Sequence, residues 1–193
     1  MMMKMTMMTM NRNNSQNKLP DFIHIHQVED HTTHKKYLLN LIEDLKKTGE
    51  ARLNERGYYF DFEAKQNGTQ PRYANYLNSA LWPNVADVLD YYGQKIRKIS
   101  RPWFQQYTQG TMFGWHHHNL SWSIIYYLEL PEPAEATEFH NYGIFPVKEG
   151  DVIFFPSFLI HRAPKIISNK RKTIFSCNID TEVDREYMDA NFS

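Results

Sequence analysis

Residues 150–161 read GDVIFFPSFLIH. A turn glycine, Gly150, precedes a run of apolar and aromatic residues with the length of one strand, and Pro156 ends that run. His161 follows on the next segment, where a strand directs alternate side chains to one face. We therefore predict two successive strands, with His161 as a candidate metal ligand on the second.

Three consecutive histidines lie upstream of this stretch, at positions 116–118. Because residues i and i+2 of a strand point to the same face, His116 and His118 can reach one ion while His117 points away. A pair that begins at His117 would place Asn119 in the second position, and the spacing alone leaves this choice open. Neutral imidazoles suit borderline metals such as Fe(II), Zn and Cu, and His161 would supply the third.

A candidate anion clamp follows the histidines. Arg171 lies ten residues after His161, and Thr173 lies two residues further on. Strand alternation places Arg171 and Thr173 on one face, where a guanidinium fork and a hydroxyl can bind a single carboxylate. The alternative is that Arg171 belongs to a solvated basic cluster, residues 170–172, at a hairpin.

The order of helical and strand patterns predicts the fold class. Two amphipathic helical patterns precede residue 96, and the first ends at Gly49. Short aromatic and β-branched segments follow, separated by Pro, Gly and Asn at the spacing of a sandwich or barrel. We predict an α+β chain, mainly β, in which N-terminal helices buttress a jelly-roll-like double sheet. The predicted strands are 96–107, 112–118, 121–130, 137–141, 151–155, 159–162 and 173–179.

A second pair of histidines occurs near the start, in residues 21–28. His24 and His26 could be read as two metal ligands on one strand face. No third ligand with a supporting pattern lies nearby, so we predict an edge strand with two polar residues.

Composition narrows the classes of partner. The 193-residue chain has a formal net charge of zero, which gives no indication of a nucleic-acid or acidic-lipid partner. No apolar run approaches the roughly 20 residues of a membrane span. Cys177 is the single cysteine, which is consistent with a reducing, cytoplasmic setting. We expect residues 1–19 to form a disordered tail and residues 20–193 one domain, with its motif-bearing β core at about 96–180.

The stretch from about Trp103 to Asp180 resembles the 2-oxoglutarate and iron(II)-dependent oxygenases, most closely the prolyl-hydroxylase-like group. The matching segments are the histidine pair, YYLELP at residues 126–131, GDVIFFPSFLIH at residues 150–161, and Arg171. The resemblance implies a double-stranded β-helix. It also implies a dioxygenase that hydroxylates a substrate, with 2-oxoglutarate and O₂ as co-substrates and succinate and CO₂ as products.

The resemblance also implies roles for individual residues. It assigns Fe(II) to three of them: His116, His118 and His161. It assigns the 2-oxoglutarate pocket to four others: Arg171, Thr173, Tyr127 and Tyr107. Arg171 and Thr173 would bind the distal carboxylate with Tyr127 as a helper, and Tyr107 would line the pocket.

One position departs from the family pattern. The usual second ligand is Asp or Glu, two residues after the first histidine, whereas this chain has His118 there. No acidic residue between Gly114 and Tyr127 can substitute, and three neutral imidazoles leave the iron site more positive than the usual set. A reach by Glu138 from the next strand is the remaining possibility, and we do not expect it.

Two other functions remain open from the sequence. A cupin-like metal-binding protein without oxygenase activity would need the histidines but not Arg171, and it would usually place a glutamate shortly after His118. A structural virion protein could have the same barrel. Within the oxygenase reading, the analogy with prolyl hydroxylases favours a peptidyl or amino-acid substrate.

Overall fold

The computed structural model describes residues 19–61, 70–132 and 135–192. The predicted disordered tail, residues 1–19, lies outside the described residues except for Leu19. Within the described ranges the helices are α1 (His31–Thr48), α2 (Ala74–Tyr91) and α3 (Arg185–Phe192). The prediction of N-terminal helices followed by a run of strands is therefore confirmed.

The strands fall into two antiparallel sheets. The major sheet contains β1 (His24–Gln27), β2 (Arg52–Leu53), β3 (Tyr59–Phe60), β4 (Gln94–Ile99), β5 (Trp103–Tyr107), β7 (Trp122–Glu129), β10 (Asp151–Pro156) and β12 (Lys172–Val183). The minor sheet contains β6 (Phe113–His116), β8 (Glu138–Phe139), β9 (Gly143–Ile144) and β11 (His161–Ala163). The chain is thus mainly β, as predicted.

The strand order shows a crossed topology. In the major sheet the order is β1-β10-β7-β12-β5-β3-β2, with β4 also paired to β12, and in the minor sheet it is β6-β11-β8-β9. Strands that are consecutive in the chain, such as β10 and β11, therefore lie in different sheets. This alternation between two facing sheets is the jelly-roll arrangement that the sequence predicted.

The major sheet has a buried core on each face. Alternate side chains of β7, such as Ile124 and Tyr126, pack against buried residues of α1 and α2. The intervening ones, Ile125 and Tyr127, pack against Phe139 and other minor-sheet residues. Because both faces are covered, β7 and β10 are buried nearly throughout, and so are the first eight residues of β12.

The helices follow the apolar periodicity of the sequence. α1 buries Leu38, Ile42 and Leu45 against the sheet and ends at Gly49, which adopts a φ of 75°. Such a left-handed residue is the common termination of a helix, and glycine adopts it without steric cost. α2 continues through Pro83 as one helix. Among the described residues, no helix is both long enough and apolar enough to cross a membrane.

The strand pairing changes one strand prediction and confirms another. The predicted strand at 96–107 is two strands, β4 and β5, which pair with different halves of β12. Pro102, which lacks an N–H group for a sheet ladder, lies in the break between them. β1 is an edge strand of the major sheet, as predicted, and His24 Nε2 lies 2.9 Å from the Tyr92 hydroxyl.

Candidate metal centre

Three histidines converge at the minor sheet. His116 on β6 is the register partner of His161 on the neighbouring β11. His118 lies two residues beyond the end of β6, and its ring centroid is 5.1 Å from that of His116 and 5.3 Å from that of His161. One ligand nitrogen from each imidazole lies within 4.8 Å of the other two. His117 is exposed and outside this cluster.

Backbone carbonyls orient two of the three imidazoles. The Nδ1 of His116 is 2.8 Å from the carbonyl oxygen of Gly114, and the Nδ1 of His161 is 2.8 Å from that of Leu159. An imidazole that donates its Nδ1–H to a carbonyl presents the lone pair of Nε2 as the ligand, which is the usual support of a metal-binding histidine. Both histidines therefore offer Nε2 to the same point.

The position of His118 depends on contacts with the major sheet. Its backbone N–H donates to the carbonyl oxygen of Ser157, at 2.9 Å. The hydroxyl of Ser157 lies 2.9 Å from that of Ser123, which in turn donates to Asn178 Oδ1 at 2.8 Å. Ser157 is fully buried, and this chain of hydrogen bonds connects the segment after β6 to β7 and β12.

Burial favours the neutral form of two of the imidazoles, those of His116 and His161. His161 is 3 % exposed, and burial lowers its pKa to about 3. Burial also lowers the pKa of His116. Neutral imidazole is the form that binds a metal ion. These histidines therefore need not release a proton when an ion binds.

No carboxylate of the described residues joins the three histidines. Glu138 is the residue that could have reached in, but its carboxylate accepts hydrogen bonds from the Arg162 guanidinium at 2.7 Å. The side chains that line the neighbouring cavity include no Asp or Glu. The donor set is therefore three nitrogens, which fits a borderline divalent ion such as Fe(II), Zn(II) or Co(II).

The histidines border a cavity of about 170 Å³ between the two sheets. The surface of its walls is mostly apolar, with several polar side chains between the apolar ones. The aromatic lining residues are Tyr58, Phe60, Trp103, Tyr107, Phe113 and Phe155. A mostly apolar wall with polar groups placed among its apolar side chains is typical of a pocket for a small ligand.

The structure places the predicted anion clamp on the other face of the major sheet. Arg171 donates to both oxygens of the Glu129 carboxylate, at 2.8 and 2.9 Å, and to Glu43 of α1 at 3.3 Å. The Thr173 hydroxyl also donates to Glu129 and accepts a hydrogen bond from Gln106 at 3.0 Å. Arg171 and Thr173 do share a face, but it is the face that packs against α1.

Lys172 takes the cavity side instead. Along β12, Lys172, Ile174, Ser176 and Asn178 alternate with the residues that face the helices, and the last three of them line the cavity. Lys172 is fully buried, and its Nζ donates to the carbonyl oxygen of Glu135 and lies 5.6 Å from the centre of the Tyr107 ring. Burial lowers its pKa to about 7.

Sequence reasoning missed Lys172, although a signal was present. Both faces of β12 are covered, so hydrophobic alternation does not reveal which face is the inner one. The polar residues Ser176 and Asn178 are the sequence signal, because buried polar groups in a central strand indicate a cavity, and Lys172 is in phase with them.

The two predicted tyrosines lie on the inner face. Tyr127 is fully buried, its hydroxyl donates to Thr137 Oγ1 at 2.9 Å, and burial raises its pKa to about 12. Tyr107 lines the cavity and packs against Tyr58 with ring centroids 4.8 Å apart. Tyr107 is also the register partner of Lys172. The structure thus places Lys172 beside Tyr107, which lines the cavity.

Comparisons with solved structures define the class of fold. A prolyl hydroxylase from Trichoplax adhaerens, in complex with a hypoxia-inducible-factor peptide fragment, has a TM-score of 0.60 at 12% identity and covers 89% of this chain and 88% of its own. The viral collagen prolyl hydroxylase of Paramecium Bursaria Chlorella virus-1, in complex with 2-oxoglutarate, has a TM-score of 0.58 at 14% identity and covers 82% and 95%. The α-ketoglutarate-dependent carbocyclase SnoK, from nogalamycin biosynthesis, has a TM-score of 0.58 at 12% identity and covers 82% and 79%.

The chain therefore has the double-stranded β-helix fold of the 2-oxoglutarate and iron(II)-dependent oxygenases, as the sequence motifs predicted. A scan against protein-family models and a search of the curated proteins found no match. The likeness thus belongs to the three-dimensional structure and to the short motifs, at sequence identities of 12–14% in these three comparisons.

Proposed function

We propose that this protein is a 2-oxoglutarate-dependent dioxygenase that hydroxylates a peptidyl or amino-acid substrate and releases succinate and CO₂. The carrying observation is the convergence of His116, His118 and His161, with one ligand nitrogen each within 4.8 Å, beside a cavity between the two sheets of this fold. Iron(II), when bound with 2-oxoglutarate, supplies the reduction of O₂ that is coupled to decarboxylation of the 2-oxoacid. The protein supplies the geometry and a dry pocket.

The histidines hold the metal ion on one wall of the cavity. The carbonyl oxygens of Gly114 and Leu159 keep two imidazoles in the tautomer that offers Nε2. An ion held by these three histidines would have protein ligands for only part of its coordination sphere and would keep further positions for small ligands. Those positions are where a bidentate 2-oxoacid would bind.

Lys172 is the residue that we assign to the distal carboxylate of 2-oxoglutarate. Its buried amino group makes no ion pair at hydrogen-bonding distance with a carboxylate of the described residues. The Glu135 carboxylate favours the charged amine only through space, and its Oε1 accepts hydrogen bonds from the backbone N–H groups of Ile167 and Ser168. The amine therefore lacks a directly bound negative charge. A ligand carboxylate would supply that charge and convert an expensive buried amine into a paired ammonium. Arg171 faces α1 and is already paired with Glu129, so we do not assign this role to Arg171.

Tyrosines complete the proposed co-substrate pocket. Tyr107 lies beside Lys172, and Tyr127 presents a buried hydroxyl from the adjoining strand β7. Both side chains favour the neutral phenol, since burial raises their pKa values. The neutral phenol of Tyr107 can donate a hydrogen bond to a carboxylate, whereas that of Tyr127 already donates to Thr137 Oγ1 and so orients that part of the pocket wall.

An anaerobic titration tests the proposal. The Fe(II)-loaded protein is titrated with 2-oxoglutarate while the weak visible charge-transfer band of a chelated 2-oxoacid is recorded. We expect the band in the parent and in Arg171→Met, and its loss or strong weakening in Lys172→Met, because Lys172 extends from the inner face of β12 beside Tyr107 whereas Arg171 extends toward α1. Loss of the band in Arg171→Met alone would return the clamp to Arg171.

The same titration separates the enzyme from a cupin-like metal-binding protein. Both would bind a metal ion through the three histidines. Only the oxygenase needs a second, anionic ligand, and the buried Lys172 is the observation that favours it. Metal binding without a band at any concentration of 2-oxoglutarate would favour the cupin-like function.

A further inference from the structure

The cavity wall is poor in negative charge. Its lining contains three histidines and Arg162 but no Asp or Glu among the described residues. The acidic residues of the neighbouring strands are occupied elsewhere. Glu138 is paired with Arg162, and Glu129 is paired with Arg171 on the opposite face of the major sheet. No carboxylate of the described residues therefore lines this cavity to balance a cation, and the buried Glu135 lies outside its lining, where it interacts with Lys172.

One positive centre would lie at the wall of this cavity, and a second would lie beside it, next to Tyr107. A divalent ion held by three neutral imidazoles keeps its full charge, whereas an aspartate or glutamate ligand would cancel one unit. The amino group of Lys172, fully buried on the same face of the sheet, would add a second centre once it is protonated. Charges in an apolar, water-poor cavity interact far more strongly than charges in water.

We propose that His118 makes metal retention depend on a dianionic co-substrate, so that the ion and the 2-oxoacid bind as a mutually dependent pair. The inference rests on the function proposed above, because it takes 2-oxoglutarate as the dianion. With an imidazole at position 118, the bare ion has no negative partner in the cavity. When the dianion binds, one carboxylate balances the ion and the other faces Lys172.

The dependence is reciprocal. If 2-oxoglutarate raises the affinity for the metal by some factor, the metal raises the affinity for 2-oxoglutarate by the same factor. Couplings between two ligands are on the order of 5–150-fold. A carboxylate at position 118 would shift this balance: the ion alone would bind more tightly, and the dianion would add less.

The experiment measures the affinity for Co(II) in the full-length protein, with oxygen excluded and at one fixed pH and ionic strength. Calorimetric titrations are made without 2-oxoglutarate and at a saturating concentration of it. The parent is compared with two variants. His118→Asp adds one negative charge, and His118→Asn places a neutral side chain of the same shape as aspartate at that position. Thermal unfolding midpoints show that each variant is folded, and His118→Glu replaces His118→Asp if the latter is not.

We expect 2-oxoglutarate to tighten Co(II) binding at least fivefold in the parent. In His118→Asp, Co(II) alone binds at least tenfold more tightly than in the parent, and the coupling factor falls at least fivefold. In His118→Asn, Co(II) alone binds no more tightly than in the parent, and the coupling factor does not fall. The contrast between the two variants isolates charge from ligand size.

Two results would overturn the inference in distinguishable ways. If 2-oxoglutarate changes Co(II) affinity by the same factor in the parent and in His118→Asp, position 118 does not control the coupling, while the proposed function stands. If 2-oxoglutarate leaves Co(II) binding unchanged in all three proteins, the proposed function and the inference fall together.

Discussion

Arg171 and Glu129 form a bidentate ion pair, with guanidinium nitrogens 2.8 and 2.9 Å from the two carboxylate oxygens. The pair lies on the α1 face of the major sheet, where Arg171 also reaches Glu43 at 3.3 Å. A third group, the Thr173 hydroxyl, donates to the same Glu129 carboxylate. Arg171 therefore connects α1 to strands β7 and β12, and its contacts are those of a structural residue.

Replacement of this arginine should affect stability and leave the cavity intact. For Arg171→Met we expect a loss of about 1–2 kcal/mol in the free energy of unfolding, because a charged, bidentate hydrogen bond is removed from a half-buried site. In a chain of this size that corresponds to a fall of roughly 2–8 °C in Tm. Affinity for 2-oxoglutarate should not change.

Arg171→Lys is the matched control for this prediction. It keeps the charge but loses the guanidinium fork, so we expect a smaller loss in Tm than for Arg171→Met. A normal Tm together with lost 2-oxoglutarate binding in Arg171→Met would contradict the structural role.

Lys172 should make the free energy of unfolding depend on pH. Its pKa in the folded protein is about 7, below the ordinary lysine value, because burial disfavours the charged form. Below about pH 7 the Lys172 amine is protonated in both the folded and the unfolded protein. Between about pH 7 and 10 the unfolded chain binds more protons, so the free energy of unfolding rises with pH, by up to about 1.4 kcal/mol per unit.

Urea unfolding at several pH values measures this effect. The free energy of unfolding of the parent, minus that of Lys172→Met, should increase from pH 7 toward pH 10, since the variant lacks the titrating amine. The subtraction removes the contribution of every other titrating group that the two proteins share. A difference that is flat with pH would show that the amine keeps one protonation state throughout.

The sequence was informative about which residues meet and less so about which way they face. The spacing of His116 and His118 on a strand, with His161 on a later strand, predicted a cluster that the structure does bring together. This works because a two-residue step keeps the side of a strand. The same rule correctly placed Arg171 and Thr173 on one face.

The direction of that face depends on tertiary packing. β12 is buried on both sides, by α1 and α2 on one and by the minor sheet on the other. A strand covered on both faces has no polar side to orient it, so parity alone cannot say whether Arg171 or Lys172 faces inward. The division of residues 96–107 into two strands has a similar cause, because it follows from the pairing of both with β12.

The histidine cluster predicts that neighbouring histidines differ strongly in their contribution to metal affinity. We expect His161→Ala and His116→Ala to lower metal affinity at least tenfold, because even loss of an outer-shell partner of a ligand costs 10–100-fold. His117→Ala is the control: it removes an exposed imidazole from the same run and should leave the affinity unchanged. Calorimetry with Co(II) measures all three, and equal losses in the three variants would argue against a site built from His116 and His161.

Gly150, which opens the motif strand β10, predicts a large effect on stability. Its φ is 90°, and a Cβ there would lie 2.5 Å from Gln27 Nε2 and 2.9 Å from His31 Cγ. Gly150→Ala therefore adds crowding to the strain of a left-handed backbone, and we expect a loss of about 2–4 kcal/mol. The control is Gly110→Ala. Gly110 has a similar backbone conformation, with a φ of 84°, but a Cβ at that position would have no heavy atom within 4 Å. It should lose only about 1–2 kcal/mol. Urea unfolding compares the two variants, and equal losses would mean that Gln27 and His31 move aside at no cost.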